Sequence, residues 1–356
     1  MNKSASLYLD FVRFLAAVTV LIAHSSYTRF RGDWLSPISF LKHDAVIIFF
    51  VLSGFVIAYV ANTRSQNYLD FALDRFARLW SVVIPALILT PFFDYLGMKI
   101  DPAQYSGYAY DLPIVRVISQ LFFLSQIQLF SIAYFSNGPF WSINFEFWYY
   151  VFFTIFFFQK KYKFVFLTLV FLFAGLKIIV LFPIWILGCL VYYSKPQRLD
   201  WRIGLVLFIS SFALYFIYHR YGIPLLLEPL TIGLFDGRLF WAQNFIADYI
   251  LAIIIFFNFA GFISFSDKFD TILHRYEKFI RYCAGFTFSI YLLHFPLLNF
   301  FIALTDSYFL TVLATFISIF IVATFTEKKK YVCKSILLGL VQAILRYHTF
   351  LTRKIQ

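Results

Sequence analysis

An all-α polytopic membrane protein, a bundle of about ten transmembrane helices, is the fold class the sequence predicts. Three observations carry it. The 356-residue chain is 62% hydrophobic and 13% charged, whereas a soluble domain is nearer half apolar and a quarter charged. Apolar runs of roughly 18–20 residues, the length that crosses a bilayer, recur from end to end. The basic residues are distributed unevenly between alternate connections.

The runs place spans at 8–26, 44–61, 80–98, 139–158, 163–180, 181–195, 203–219, 241–260, 284–303 and 309–326. With both termini cytoplasmic, Arg29, Arg31, Lys42, Lys99, Arg116, Lys177, Arg220 and Arg238 fall outside, Arg13 lies within a span, and the other 21 of the 30 Lys and Arg fall inside. Such a bias sets orientation. The segment IVRVISQLFFLSQIQLFSI (114–132) is apolar enough to span, but a span there would move QKKYK (159–163) outside. Residues 99–138 are therefore expected on the outer side, with 114–132 re-entrant or buried against the bundle. Residues 1–330 form the transmembrane domain. Residues 331–356 read as a basic amphipathic tail on the cytoplasmic surface.

The first span has an internal arginine and no small-residue cleavage pattern, so it does not read as a signal peptide. The net charge of +12 fits loops facing an anionic leaflet and no nucleic-acid partner is expected. Cys189, Cys283 and Cys333 are too widely spaced for a metal pair or a disulfide framework. Neither an HExxH metal motif nor a Gly-rich phosphate loop occurs, and no metal is expected.

Taken in chain order, the polar groups inside the spans are few. Arg13 and His24 are eleven residues apart, close to three helical turns, so they share a face at about 16 Å separation. Asp10 precedes Arg13 by three, a spacing for an ion pair. A polar stripe through a span faces the bundle interior and marks a substrate or proton path. A structural ion pair with a hydrogen-bonded core histidine is the plainer alternative. His43 and Asp44, at the outer start of the second span, could pair and face His24. Ser53 and Gly54 sit mid-helix, where small residues allow close packing.

Arg75 and Arg78 lie one turn apart at the inner surface. They serve either as topology-setting charge or as a phosphate clamp, for which guanidinium geometry is suited. In NGPFWSINFEFWYY (137–150), Asn137-Gly138-Pro139 starts a helix. Ser142 and Glu146 then share one face, with Tyr149 and Tyr150 next along it. A carboxylate about 10 Å into a span must be paired, neutralised or functional. Tyr291 and His294 lie on adjacent turns of the ninth span, and Pro296 removes a backbone donor there and is expected to kink it. His219, His274 and His348 read as bland.

Together these motifs resemble the acyltransferase-3 family of integral membrane acyltransferases. The likeness runs from Leu7 to about Phe325 through DFVRFLAAVTVLIAH, FFVLSGF, RFAR, WSINFEFWYY and SIYLLHFPL, in that order. The resemblance implies transfer of an acyl group, commonly acetyl from acetyl-CoA, to a hydroxyl of a glycan or lipid-linked sugar. Arg13 and His24 match the family's essential Arg-x10-His pair, and Arg75 and Arg78 its inner-face arginine pair. Many members carry Gly-Val-Asp or similar where this chain has Ala45, Val46 and Ile47, so the acid is missing at 47, with Asp44 nearby. Some members carry a fused extracytoplasmic hydrolase-like domain, which these 356 residues do not include; if such a second step is needed, a separate protein is expected to supply it.

The expected mechanism uses acetyl-CoA as co-substrate and no resident cofactor. Arg13, Arg75 and Arg78 bind the donor, whose extended pantetheine is about long enough to bridge the 16 Å along the first helix. His24 acts as general base or is transiently acylated, since an imidazole exchanges protons near neutral pH. Glu146 orients His24 or stabilises its cation. Asp10, Ser53, Trp141, Ser142, Tyr149, Tyr291 and His294 support the site or line its cavity. The expected partners are acyl-CoA, a lipid-linked or exported glycan such as a lipopolysaccharide precursor, and the bilayer. The expected location is the bacterial cytoplasmic (inner) membrane. The rivals are a polysaccharide flippase or polymerase, and a non-enzymatic sensor on the same fold.

Overall fold

A backbone in lipid must satisfy its own N–H and C=O groups, so apolar runs of this length become helices. The computed structural model describes residues 1–64 and 67–355, and among these there is no strand beyond an isolated bridge between Tyr134 and Asn137. The helices are α1 (Lys3–Ser25), α2 (Leu41–Thr63), α3 (Tyr68–Ile100), α4 (Pro113–Leu121), α5 (Trp141–Phe158), α6 (Lys163–Ala174), α7 (Leu176–Tyr193) and α8 (Trp201–Arg220). They continue with α9 (Ile223–Phe235), α10 (Phe245–Phe265), α11 (Asp270–Arg275), α12 (Glu277–Ala284), α13 (Thr287–Thr305), α14 (Tyr308–Phe325) and α15 (Lys330–Ile355). Side-chain oxygens start several of them: Asn2 accepts from the Ala5 amide at 2.8 Å and Asn67 from the Asp70 amide at 2.8 Å, each satisfying one orphan donor of a first turn.

Among the described residues, eight helical segments are long and apolar enough to cross a membrane, those containing α1, α2, α3, α7, α8, α10, α13 and α14. Large apolar side chains cover their outer faces, among them Ile88, Phe216 and Phe309. In water so much exposed apolar surface would be an aggregation liability; in a bilayer it is the solvent-matched face. The other two expected spans correspond to α5, which carries Ser142, Asn144 and Glu146, and to α6, whose 12 residues reach only about 18 Å.

Several boundaries differ from the sequence reading. The span expected at 163–180 breaks at Gly175, where φ is +87°, a conformation that glycine adopts at little cost. The break is filled by the 114–132 segment: the Gln128 amide donates to the Ala174 carbonyl at 2.9 Å. Lys177, assigned to an outer loop, is instead buried in the first turn of α7, where its ammonium donates to the Phe130 carbonyl.

The 114–132 segment does not continue as a spanning helix. After the nine residues of α4 it turns through left-handed conformations at Phe123 and Gln128. Indole donors satisfy its free carbonyls inside the bundle, Trp80 to Leu121 at 3.0 Å and Trp148 to Phe123 at 2.9 Å. Irregular backbone survives at that depth only with such partners.

α3 begins twelve residues before the expected span at 80–98, so Arg75 and Arg78 are helical and not in a loop. Their charges, with Asp70 and Asp74, mask the apolar periodicity. α9 is a short apolar helix that the sequence reading left in an outer connection. The tail helix α15 packs on α3, where Lys334 pairs with Asp74 at 2.6 Å. The side chain of His348 lies outside the described residues. α13 continues as one helix through Pro296. The Leu292 carbonyl, which the proline ring deprives of its helical donor, accepts from Asn137 Nδ2 at 2.8 Å.

Candidate active site

Side chains from α1, α2, α3, α5 and α13 line a narrow slot, whose polar lining is Arg13, Ser53, Arg75, Arg78, Ser142, Glu146, Tyr150, Thr287 and Tyr291. Three guanidinium groups thus face one carboxylate. Glu146 accepts from Ser53 Oγ at 2.9 Å and from the Tyr150 hydroxyl. Ser53 is held in turn by Trp185 Nε1 at 3.1 Å. Arg13 donates to Asp10 at 3.1 Å, the expected one-turn pair, and Asp10 also takes Arg281 at 3.3 Å. Arg78 lies over the Phe288 ring at 4.8 Å. Arg75 is buried, and among the described residues its Nε has no hydrogen-bond partner. A buried donor without an acceptor costs about 1–3 kcal/mol, a cost that an incoming anion would relieve.

At the far end of the slot, Ser142 Oγ and the Tyr291 hydroxyl are 2.6 Å apart, and Tyr291 donates to the Pro139 carbonyl at 3.0 Å. One turn beyond Tyr291 stands His294, whose Nε2 is 3.2 Å from His24 Nδ1. His24 Nδ1 is also 2.9 Å from the Val20 carbonyl, and His294 Nδ1 is 3.0 Å from the Ile290 carbonyl. Carbonyls only accept, so this network assigns the proton to Nδ1 of both rings. His294 Nε2 then accepts, and His24 Nε2 keeps its lone pair. Tyr27 and Phe295 set their ring edges against His24, at centroid distances of 5.8 and 5.3 Å.

The arrangement departs from the sequence reading in four places. Glu146 stands beside Ser53 and Tyr150, and the partner of His24 is His294. Tyr149 turns away from the slot and donates to the Ile178 carbonyl at 3.2 Å, while Tyr150, one position on, enters it. Trp141 stacks on Trp241 at 5.4 Å and does not line the slot. His43 and Asp44 do not pair with each other. Consecutive residues on a helix point about 100° apart, so His43 reaches Asp248 at 2.7 Å, while Asp44 accepts from Tyr215 at 2.6 Å and meets His219 at 2.7 Å. His219 is therefore not bland.

Sequence reasoning also missed Glu327. Its carboxylate accepts from the Ser289 amide and hydroxyl at 3.0 and 2.9 Å, capping the start of α13 beside Arg78. Burial pushes its pKa up, against the lowering effects of Ser289 and Arg78. It lies in TEKKK, where the lysines hide a lone acid.

Apolar helices of spanning length around a sparse polar core define an integral multi-pass membrane protein, with the candidate site inside the bundle. Residues 6–327 match the acyltransferase-3 family, described as an acyltransferase domain, and the chain belongs to that family. It is 31% identical over 157 residues to an O-acetyl transferase of Shigella phage Sf6. That alignment covers 42% of this chain and 45% of the relative, so the chain matches under half of the relative's length. No solved structure matches.

Proposed function

We propose that the protein transfers an acetyl group from cytoplasmic acetyl-CoA to a hydroxyl of a cell-envelope or exported glycan. The observation that supports this reading is the polar column from the Arg75–Arg78 pair through the slot to the His294–His24 pair. It offers an anion site at one end, and a base that stands one turn of α13 beyond Tyr291 at the other.

In this reading the donor phosphates rest on Arg75 and Arg78 through charge-assisted hydrogen bonds. The arm passes Arg13 and Glu146 towards Tyr291, bringing the thioester to the histidines. His24 Nε2 takes the proton of the acceptor hydroxyl as its oxygen bonds to the thioester carbonyl carbon. The carbon–sulfur bond then breaks. The departing thiolate takes the proton back from His24, leaving an O-acetyl ester and free CoA thiol. His294 fixes the ring orientation of His24. Glu146 offsets the three guanidinium charges and holds the wall through Ser53 and Tyr150.

Membranes containing the protein and a glycan acceptor, supplied with acetyl-labelled acetyl-CoA, should label the glycan. Unlabelled glycan in competent membranes would return the protein to a transport role. Changing both Arg75 and Arg78 to Ala should raise the KM for acetyl-CoA on the order of 100-fold with kcat changed far less, since each charge-assisted bond is worth about 1.5–3 kcal/mol. An unchanged KM would leave the pair as topology-setting charge alone.

A further inference from the structure

A second cleft lies beside the arginine end of the slot. Arg75 and Arg78 line both spaces, so the two adjoin at these side chains. The cleft adds Arg64 from the turn after α2, and Lys330 and Lys334 from α15. Asp74, which Lys334 engages at 2.6 Å, is the acid among these lining residues. That ion pair docks the tail helix on α3 and sets Lys330, one turn earlier, at the cleft. Among the described residues Lys330 makes no ion pair; its ammonium lies 5.5 Å from the Tyr331 ring centroid.

We propose that Lys330 of the tail helix, with Arg64, forms a phosphate subsite for the 3′-phosphate of the CoA donor, so that α15 completes the donor site. This rests on the reading of the protein as a CoA-dependent acyltransferase. The order of groups in the donor supports the assignment. Pantetheine joins the 5′-diphosphate, so the phosphates nearest the slot are those at Arg75 and Arg78. The ribose and its 3′-phosphate lie further out, where Arg64 and Lys330 stand. Burial lowers the Lys330 pKa, and the positive charges of Arg78 and Arg75 lower it further. A phosphate dianion at the cleft would relieve that repulsion. An anionic lipid headgroup offers the same phosphate chemistry and is the alternative source.

The test compares acetyl-CoA with acetyl-3′-dephospho-CoA as donors for the full-length protein, in nanodiscs of zwitterionic lipid and in nanodiscs containing phosphatidylglycerol. The wild type should show a KM about tenfold lower for acetyl-CoA than for the dephospho donor, in both lipids. Lys330→Gln should bring the two KM values together by raising that of acetyl-CoA, with kcat kept. Lys330→Arg should retain the difference. The subsite is overturned if the wild type does not discriminate, or if Lys330→Gln discriminates as well as wild type. A Lys330→Gln effect confined to lipid dependence assigns the cleft to headgroups and also overturns it. A wild type that uses neither donor would instead remove the acyltransferase reading itself.

Discussion

Replacing His24 with alanine is expected to abolish acetyl transfer while leaving the protein in the membrane at near wild-type abundance. The network assigns Nδ1 of His24 as a donor towards Val20 and His294, so Nε2 is the basic atom. A positioned general base is worth about 10²–10⁴ in rate, and alanine offers no substitute. The structural cost is small by comparison. Val20 O belongs to the α1 backbone and His294 keeps its bond to Ile290, so about one net hydrogen bond, near 1 kcal/mol, is lost. His294→Ala should act differently. It should lower kcat about tenfold to 100-fold and leave the KM for acetyl-CoA unchanged, because it positions His24 and lies away from the arginines. Acid-quenched wild-type protein should hold no acyl label if His24 is a base; label trapped there and lost in His24→Ala would make it a covalent relay. Full activity in His24→Ala would remove His24 from the chemistry.

The stripe on α1 was legible because helical periodicity converts spacing into direction: Asp10, Arg13 and His24 each carry information about one face. What the periodicity could not supply was the identity of neighbours from other helices. His24 meets a residue 270 positions away, and Glu146 meets Ser53 from α2. At Tyr149 and Tyr150, a one-residue difference in direction decides between core and slot. The same limit explains His43 and Asp44, which look like a pair in sequence and are separated by the pitch of the helix. Helix boundaries failed where composition misleads. The start of α3 reads as a charged loop, because a helix whose polar face meets a basic cleft has no reason to be apolar. The break at Gly175 sits inside an uninterrupted apolar run, and only the docking of Gln128 shows why the chain must turn there.

The second large effect is expected at the crossing of α2 and α7. A Cβ at Gly54 would overlap the Trp185 carbonyl oxygen, and one at Gly188 would overlap the Val51 carbonyl oxygen. The overlaps are reciprocal, so the two backbones touch through both glycines, a contact that small residues alone permit. Neither glycine has a positive φ; the requirement is space. Gly188→Leu should therefore leave little folded protein after detergent extraction, since overpacking costs about 1–3 kcal/mol or more and here the obstacle is backbone. Gly54→Ala is the graded version. It should lower the Tm, and it should lower kcat in the protein that remains folded. The reason is local: the crossing brings Trp185 Nε1 to Ser53, and Ser53 holds Glu146 in the slot. Gly233→Ala, with nothing within 4 Å of its added carbon, is the control and should keep the wild-type Tm and activity. If Gly54→Ala matched that control in both measurements, the helices would not be held at this distance, and the wall of the slot would not depend on them.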